Sequence, residues 1–313
     1  MDTFFGINGK LFQRRYKDKL SDYHQWEQKS HAEDWILHEE NIGEYLSIDE
    51  TSPSCGELYT VVTNKAGKGK KGTIVAFIKG TASDAVITVL KKIPEAKRRS
   101  VKEVTLDMAG SMNKIVRSSF PCAQLVIDRF HVQKLAQDAL NDMRVALRWK
   151  AIDEENNAIT NAKQSGERYT PFVFSNGDTQ KQLLARSRYL LFKSREKWTK
   201  TQEVRAKILF ENYPTLKTAY NLVHKLRMIY NNTEDKAIAS HWYNDVADAD
   251  FKKFNTVTNT IYNHYKEILN FFDNRNTNAS AESFNAKIKD FRRNLKGVAD
   301  VKYFLFRLTK IYA

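Results

Sequence analysis

The sequence predicts an α/β fold: a mixed sheet with helices on both faces, interrupted by a large all-helical insertion. Three observations carry that expectation. Short β-patterned runs crowd into residues 43–128, and beyond them the periodicity turns helical until about residue 270. Two of those runs end in acids, Leu46-Ser47-Ile48-Asp49-Glu50 and Val104-Thr105-Leu106-Asp107. A third acidic island, Asn278-Ala279-Ser280-Ala281-Glu282-Ser283-Phe284-Asn285, opens a helical pattern with a basic, aromatic face.

Residues 1–45 are aromatic, charged and helical in flavour. Phe12, Tyr16, Tyr23 and Trp26 recur at helix-like spacing, which predicts a helical lead-in packed on the core. Strands are expected at 43–49, 57–64 and 73–78, the last two joined by a glycine-rich basic hairpin loop at 65–72. A helix at 83–92, a fourth strand at 101–107, a short helix at 112–119 and a fifth strand at 124–128 follow. Three antiparallel strands, then strands alternating with helices, describe a ribonuclease H-like, five-stranded mixed sheet whose chemistry lies at the strand ends. After Asp128 the pattern is almost wholly helical: 132–155, 181–192, 200–212, 215–231, 235–245 and 248–272, with a break at 164–178. Such a segment is too long for a loop and too ordered for a linker. The organisation expected is a lead-in at 1–45, the first part of the core at 46–131, a helical insertion at 132–272, and a closing helix with a basic tail at 273–313.

Composition narrows the class. A hydrophobic fraction of 42% supports a substantial core, and no apolar run is long enough to span a membrane. The net charge of +14 points to an anionic polymer as partner, although charge alone fits a bland basic protein equally well. Cys55 and Cys122 stand far apart with no C-x-x-C motif. That excludes a Cys-rich zinc ribbon and a disulfide framework, and suits a reducing cytosol. The opening Met-Asp-Thr-Phe-Phe-Gly lacks the pattern of a secretion signal, so a cytoplasmic location is expected. A Walker loop, a dinucleotide fingerprint and a serine-hydrolase elbow are absent from the sequence.

Asp49, Asp107 and Glu282 are separated by 58 and 175 residues and fall on a strand, a strand and a helix. Oxygen ligands from separate elements can converge to hold two magnesium ions about 3.5–4 Å apart, as phosphoryl transfer on DNA requires. Asp128 competes with Asp107 for the second place. Metal-binding carboxylates in a ribonuclease H-like sheet come from the first strand and the adjacent fourth, which favours Asp107. Asp128 also has an ordinary reading as a helix N-cap. Glu50 reads as a supporting or surface residue. Glu282 alone could be a first-turn acid favouring the helix dipole, but Asn285 at i+3 and Lys289 at i+7 share its face. His131 reads equally as a supporting or a buried, satisfied histidine. Basic residues cluster at Lys65, Lys68, Lys70 and Lys71, at Lys91, Lys92, Lys97, Arg98 and Arg99, and from Lys287 through Lys289, Arg292 and Arg293 to Lys296, Lys302, Arg307 and Lys310. A lone charge run is ordinarily a solvated face; beside carboxylates it suits phosphate. Trp149, Trp198 and Trp242 are expected as core anchors rather than base-stacking platforms.

Four segments in order carry a family resemblance: Leu46-Ser47-Ile48-Asp49-Glu50-Thr51; Val104-Thr105-Leu106-Asp107-Met108; Phe120-Pro121 with Val126-Ile127-Asp128-Arg129-Phe130-His131-Val132; and Ala281-Glu282-Ser283-Phe284-Asn285-Ala286-Lys287-Ile288-Lys289. The chain resembles the DDE transposases of bacterial insertion sequences, most closely the ISL3 family. The resemblance implies a ribonuclease H-like core that cleaves and transfers insertion-sequence DNA strands with two Mg2+ or Mn2+ ions. It implies Asp49, Asp107 and Glu282 as catalytic metal ligands. Asp128 and His131, in a D-x-x-H arrangement similar to that of mutator-like transposases, and Asn285 would support them. Lys68, Lys70, Lys71, Lys287, Lys289, Arg292 and Arg293 would meet DNA. The implied partners are double-stranded DNA, at element ends and target, and further copies of the chain on that DNA, in a nucleoid-associated setting. Members usually carry a zinc-binding, helix-turn-helix head, which this sequence does not show. Sequence recognition is therefore expected from a separate DNA-binding protein or from the insertion acting in a dimer. The alternatives are a non-catalytic DNA-binding remnant and a ribonuclease H-like nuclease without strand transfer.

Overall fold

Side-chain alternation along six strands builds the sheet in the computed structural model, which describes residues 5–6, 8–54, 56–232, 236–249 and 251–313. The strands are β1 (Trp35–Leu37), β2 (Tyr45–Ser54), β3 (Glu57–Asn64), β4 (Ile74–Lys79), β5 (Glu103–Leu106) and β6 (Gln124–Ile127). Their order is β1-β4-β3-β2-β5-β6. The pairs β1–β4, β3–β4 and β2–β3 are antiparallel, whereas β2–β5 and β5–β6 are parallel. Parallel neighbours need a long crossover, which helices supply here. Contacts divide the chain into a sheet unit, Met1–Asp128 with Asn274–Ala313, and a helical unit, Arg129–Asp273.

Successive strand residues point to opposite faces, so each strand feeds two cores. On one face Leu46, Ile48, Val62, Ile78, Val104 and Leu106 pack with Val86 and Leu90 of α1 (Ser83–Leu90) and with Met112, Ile115 and Val116 of α2 (Gly110–Ser119). On the other, Tyr59, Val61 and Phe77 meet Phe284 and Ile288 of α3 (Ala279–Asn294) and Phe304, Leu305 and Leu308 of α4 (Val301–Tyr312). Each such side chain contributes about 1.5–3 kcal/mol on burial. Phe284 and Ile288 are fully buried, so α3 is fastened to the sheet by its apolar stripe. Asp300 caps α4 by accepting the Tyr303 amide at 2.9 Å, and Lys17 pairs with the same carboxylate at 2.5 Å.

The sheet has six strands, one more than expected. The extra strand, β1, lies in the lead-in, where Trp35, Ile36 and Leu37 pair with Ile78, Phe77 and Ala76. Ile36 is fully buried, and that gain outweighs the helical flavour of the surrounding sequence. The Gln28 carboxamide covers the free edge, accepting from Leu37 N at 2.8 Å and donating to Leu37 O at 2.9 Å. Of the four lead-in aromatics only Tyr23 and Trp26 pack, against Tyr303 and Phe306; Phe12 and Tyr16 are exposed.

The helical unit contains Arg129–Ser165, Gln180–Arg186, Arg188–Phe192, Lys200–Asn212, Pro214–Asn232, Lys236–Ala249, Lys252–Asn263 and Tyr265–Leu269. Its first helix runs ten residues beyond the expected end at 155. The helix expected at 248–272 is broken into shorter pieces, because His264 leaves the helical region at φ −117°, ψ 19°. Trp242 is buried and donates to Leu222 O at 2.8 Å. In the break before residue 180, the fully buried Asp178 carboxylate accepts from Arg205 Nε at 2.8 Å, from Asn176 Nδ2 at 2.8 Å and from Arg186. Among the described residues no helix is long and apolar enough to cross a membrane. The opening residues Met1 to Phe4, Cys55 and the expected helix start at Asp235 lie outside the described residues, and Cys122 is an exposed free thiol.

Candidate active site

Register sets the candidate site. In the β2–β5 pair Leu46 faces Val104 and Ser47 faces Thr105; in β5–β6 Leu106 faces Ile127. Continuing the first register by two residues and the second by one aligns Asp49, Asp107 and Asp128 in a single row. Asp107 and Asp128 directly follow β5 and β6, whereas β2, expected to end at residue 49, runs on to Ser54 in its pairing with β3 and leaves Asp49 within the strand. Leu46, Ile48, Val104, Leu106 and Leu125 all belong to the core under α1 and α2. Alternation therefore turns the three aspartates to the opposite face, which α3 covers.

Asp49 is half-buried and held from two sides. Its Oδ1 accepts the Glu50 amide at 2.8 Å, and its Oδ2 accepts Asn285 Nδ2 at 2.7 Å. The same amide lies 3.4 Å from Glu50 O, so the Asn285 side chain bridges α3 to β2. Asp107 is half-buried too, its Oδ1 accepting the Ala109 amide at 2.8 Å in an Asx-type turn that opens α2. Asp128 is buried, and its Oδ1 accepts the Asn278 amide at 3.3 Å, at the point where the chain enters α3. Burial, then the charges of Asp107 and Asp49, push the Glu50 carboxyl above its ordinary value. Negative charge is therefore crowded here.

Glu282 occupies the first turn of α3, one turn before Asn285, and is exposed. Among the described residues no three His, Cys, Asp or Glu side chains lie close enough together to hold a metal ion. The structure thus aligns Asp49 with Asp107 and docks Asn285 on Asp49, but does not gather Glu282 with the two aspartates. The donors nonetheless fit a hard divalent cation. They are carboxylate oxygens under mutual repulsion, and the buried Ser47 Oγ and Asn278 Oδ1 nearby have no hydrogen-bond partner. His131 is half-buried in the first turn of Arg129–Ser165, its ring edge-on to Phe130 at 5.6 Å.

The basic residues divide. Lys68, Lys70 and Lys71 are exposed on the β3–β4 loop, and Lys287 Nζ donates to Gly69 O at 2.7 Å, tying that loop to α3. Gly69 has φ +68°, a left-handed conformation that favours glycine, and a Cβ there would stand 2.7 Å from Lys287 Nζ and push that side chain aside. Lys289 and Arg293 are exposed and Arg292 half-buried. Lys65 differs from its neighbours: it is half-buried and pairs with Glu103 Oε1 at 3.3 Å and with Thr105 Oγ1. In the second cluster Arg98 is spent on the carbonyls of Ile93 and Ser119, and Lys97 on Glu39. Trp242 is the core anchor expected and Trp198 is half-buried, but Trp149 is 60% exposed. Sequence reasoning passed over the buried Glu103, on which the exposed Asn274 and the half-buried Asn276 converge. The alternating Asn-Arg-Asn-Thr-Asn at 274–278 was the available signal.

The strand order, the mixed pairing and the acids aligned across adjacent parallel strands define the ribonuclease H-like class. The chain belongs to the ISL3 family of DDE transposases, whose profile, described as transposase, matches residues 46–308. It is similar to the transposase for insertion sequence element IS1001 of Bordetella parapertussis, with 22% identity over 270 residues. That similarity covers 85% of this chain and 60% of the relative, so the chain spans less than two thirds of the relative's length. No solved structure gives a significant match.

Proposed function

We propose that this chain is the catalytic part of an insertion-sequence transposase, cleaving DNA at element ends and joining the freed strand to a target. The observation that carries this reading is the side-by-side register of Asp49 and Asp107, with Asn285 fixed to Asp49 one helical turn from Glu282. Asp49, Asp107 and Glu282 would hold two Mg2+ or Mn2+ ions, which supply Lewis-acid stabilisation of charge on the reacting phosphate. The chain's own residues do the rest. Asn285 and the Glu50 amide keep the Asp49 carboxylate from rotating, and the Ala109 amide does the same for Asp107. Asp128 supports α3 through the Asn278 amide, and His131 acts as a supporting residue. Lys68, Lys70, Lys71, Lys289, Arg292 and Arg293 bind backbone phosphates, which positions DNA without reading its sequence. Further copies of the chain on DNA, and a separate DNA-binding protein for end recognition, complete the proposal.

A second reading rests on its own observation. Glu282 is exposed and among the described residues no acidic triple converges, as a non-catalytic DNA-binding remnant would have it. Incubating the chain with labelled end-containing duplex and a target plasmid, with Mg2+, Mn2+ or a chelator, separates the readings. Metal-dependent nicking followed by joined products supports the transposase. Nicking without joining leaves a nuclease, and binding without nicking leaves the remnant.

A further inference from the structure

The chain re-enters the sheet unit at Asn274, and its next residues are stitched to the sheet at three successive points. Asn274 Nδ2 and Asn276 Nδ2 both donate to Glu103 Oε2, at 3.1 and 2.9 Å. The Asn278 amide donates to Asp128 Oδ1, and seven residues later the Asn285 side chain reaches Asp49. Between the first two donors Arg275 takes φ +53°, a left-handed conformation that a long side chain adopts only when its surroundings impose it. That turn directs both asparagines to the same oxygen. The other carboxylate oxygen of Glu103 is taken by Lys65 Nζ at 3.3 Å and by Thr105 Oγ1 at 3.4 Å. Glu103 is 1% exposed, and a carboxyl group so buried needs its oxygens hydrogen-bonded, as they are here by four donors.

We propose that Glu103 is a positioning residue: its carboxylate, braced by Lys65, latches Asn274 and Asn276 and so sets where α3 presents Glu282 and Asn285 to Asp49 and Asp107. Glu103 opens β5, and Asp107, four residues on and directed to the same side, follows the strand's last residue, so one short strand links the latch to a member of the aspartate row. The inference rests on the transposase reading only for its catalytic consequence; the latch itself is a property of the sheet unit. Cutting it on the segment side leaves Lys65–Glu103 paired, so no bare charge is buried.

The test compares the full chain with its Asn274→Ala/Asn276→Ala variant, and with single Asn276→Ser in case the double variant folds poorly. Amide hydrogen exchange is the first readout. Exchange across residues 279–285 should accelerate about tenfold or more, with β2, β3 and β4 unchanged, because hydrogen bonds to a charged acceptor are among the stronger ones lost on local opening. The second readout is single-turnover cleavage, expected to slow about tenfold or more while DNA affinity stays within about twofold. Asn276→Asp should be more damaging than the alanine change, since it sets a second carboxylate against Glu103, and adding Glu103→Gln to it should restore part of the loss. Acceleration spread evenly over the whole sheet unit would reduce Glu103 to general support and overturn the proposal, as would unchanged exchange at 279–285. A parent chain that cleaves no DNA would remove the transposase reading, while the exchange data would still decide on the latch.

Discussion

At the scale of single residues, Asp49 shows how little freedom the candidate site leaves its groups. Both carboxylate oxygens are engaged, one by its neighbour's amide and one by Asn285 from a helix 236 residues away in sequence. Replacing Asp49 or Asp107 with Asn, or Glu282 with Gln, removes a charge and almost no volume. Each change should abolish metal-dependent cleavage in a gel-based nicking assay and leave duplex affinity nearly unchanged. His131→Ala should lose less than any of them, on the order of tenfold, if it only supports other groups. Full activity in the Glu282→Gln chain would remove the third carboxylate from the scheme. The aspartates were legible in the sequence because an acid directly after a run of apolar strand residues is conspicuous, although β2 itself continues past Asp49. Glu103 was not, because an acid inside a strand pattern looks like an ordinary solvent-facing residue. Only the pairing of β5 between β2 and β6 reveals that neither of its faces meets water.

At the scale of elements, the helical unit carries two titratable groups whose pKa values are both lowered, one by pairing and one by burial. Burial raises the Asp178 pKa, but hydrogen bonds from Arg205 and Arg186 outweigh it and hold the carboxyl below its ordinary value. A depressed carboxyl contributes stability that is complete above the unfolded value near 3.9 and is lost as pH falls through the folded one. Asp178→Asn should therefore cost about 2–3 kcal/mol at neutral pH in urea unfolding followed by tryptophan fluorescence. The difference should close only in strong acid. His224 is pushed down to about 4, by burial and then by Arg227. Its folded pKa lies below the unfolded 6.5, so its share of stability is complete above about pH 6.5 and falls away between there and about pH 4. The slope is at most roughly 1.4 kcal/mol per pH unit. Its Nε2 is buried without a partner, so His224→Leu should fold and flatten that part of the stability profile. A profile unchanged by the substitution would assign the acid sensitivity elsewhere. The five longer strands and most helices could be read from periodicity. Three residues of β1 are too few to show a period, and the break at His264 has no proline or glycine to announce it in the sequence.

At the scale of the whole molecule, a net charge of +14 makes phosphate the obvious partner, and the structure sorts the basic residues that can meet it from those that cannot. Lys68, Lys70 and Lys71 project from the β3–β4 loop, whereas Lys65, three residues before the first of them, is half-buried and paired with Glu103. Sequence alone makes these four lysines equivalent; the salt dependence of binding should not. Each phosphate neutralised contributes about 0.9 to the slope of log affinity against log salt. Lys70→Ala/Lys71→Ala should therefore lower the magnitude of that slope by about 2 in fluorescence-anisotropy titrations, with the thermal midpoint unchanged. Lys65→Ala should do the reverse, lowering the midpoint by stranding a buried carboxylate and leaving the slope of the folded protein intact. With phosphate contacts dominant, this 313-residue chain should also bind terminal-repeat and scrambled duplexes with similar, weak affinity at physiological salt. A strong preference for the repeat in the purified chain would mean that some helix within these residues reaches base edges, and the Arg129–Asp273 unit, where Trp149 stands exposed between Arg148 and Lys150, would be the first place to look.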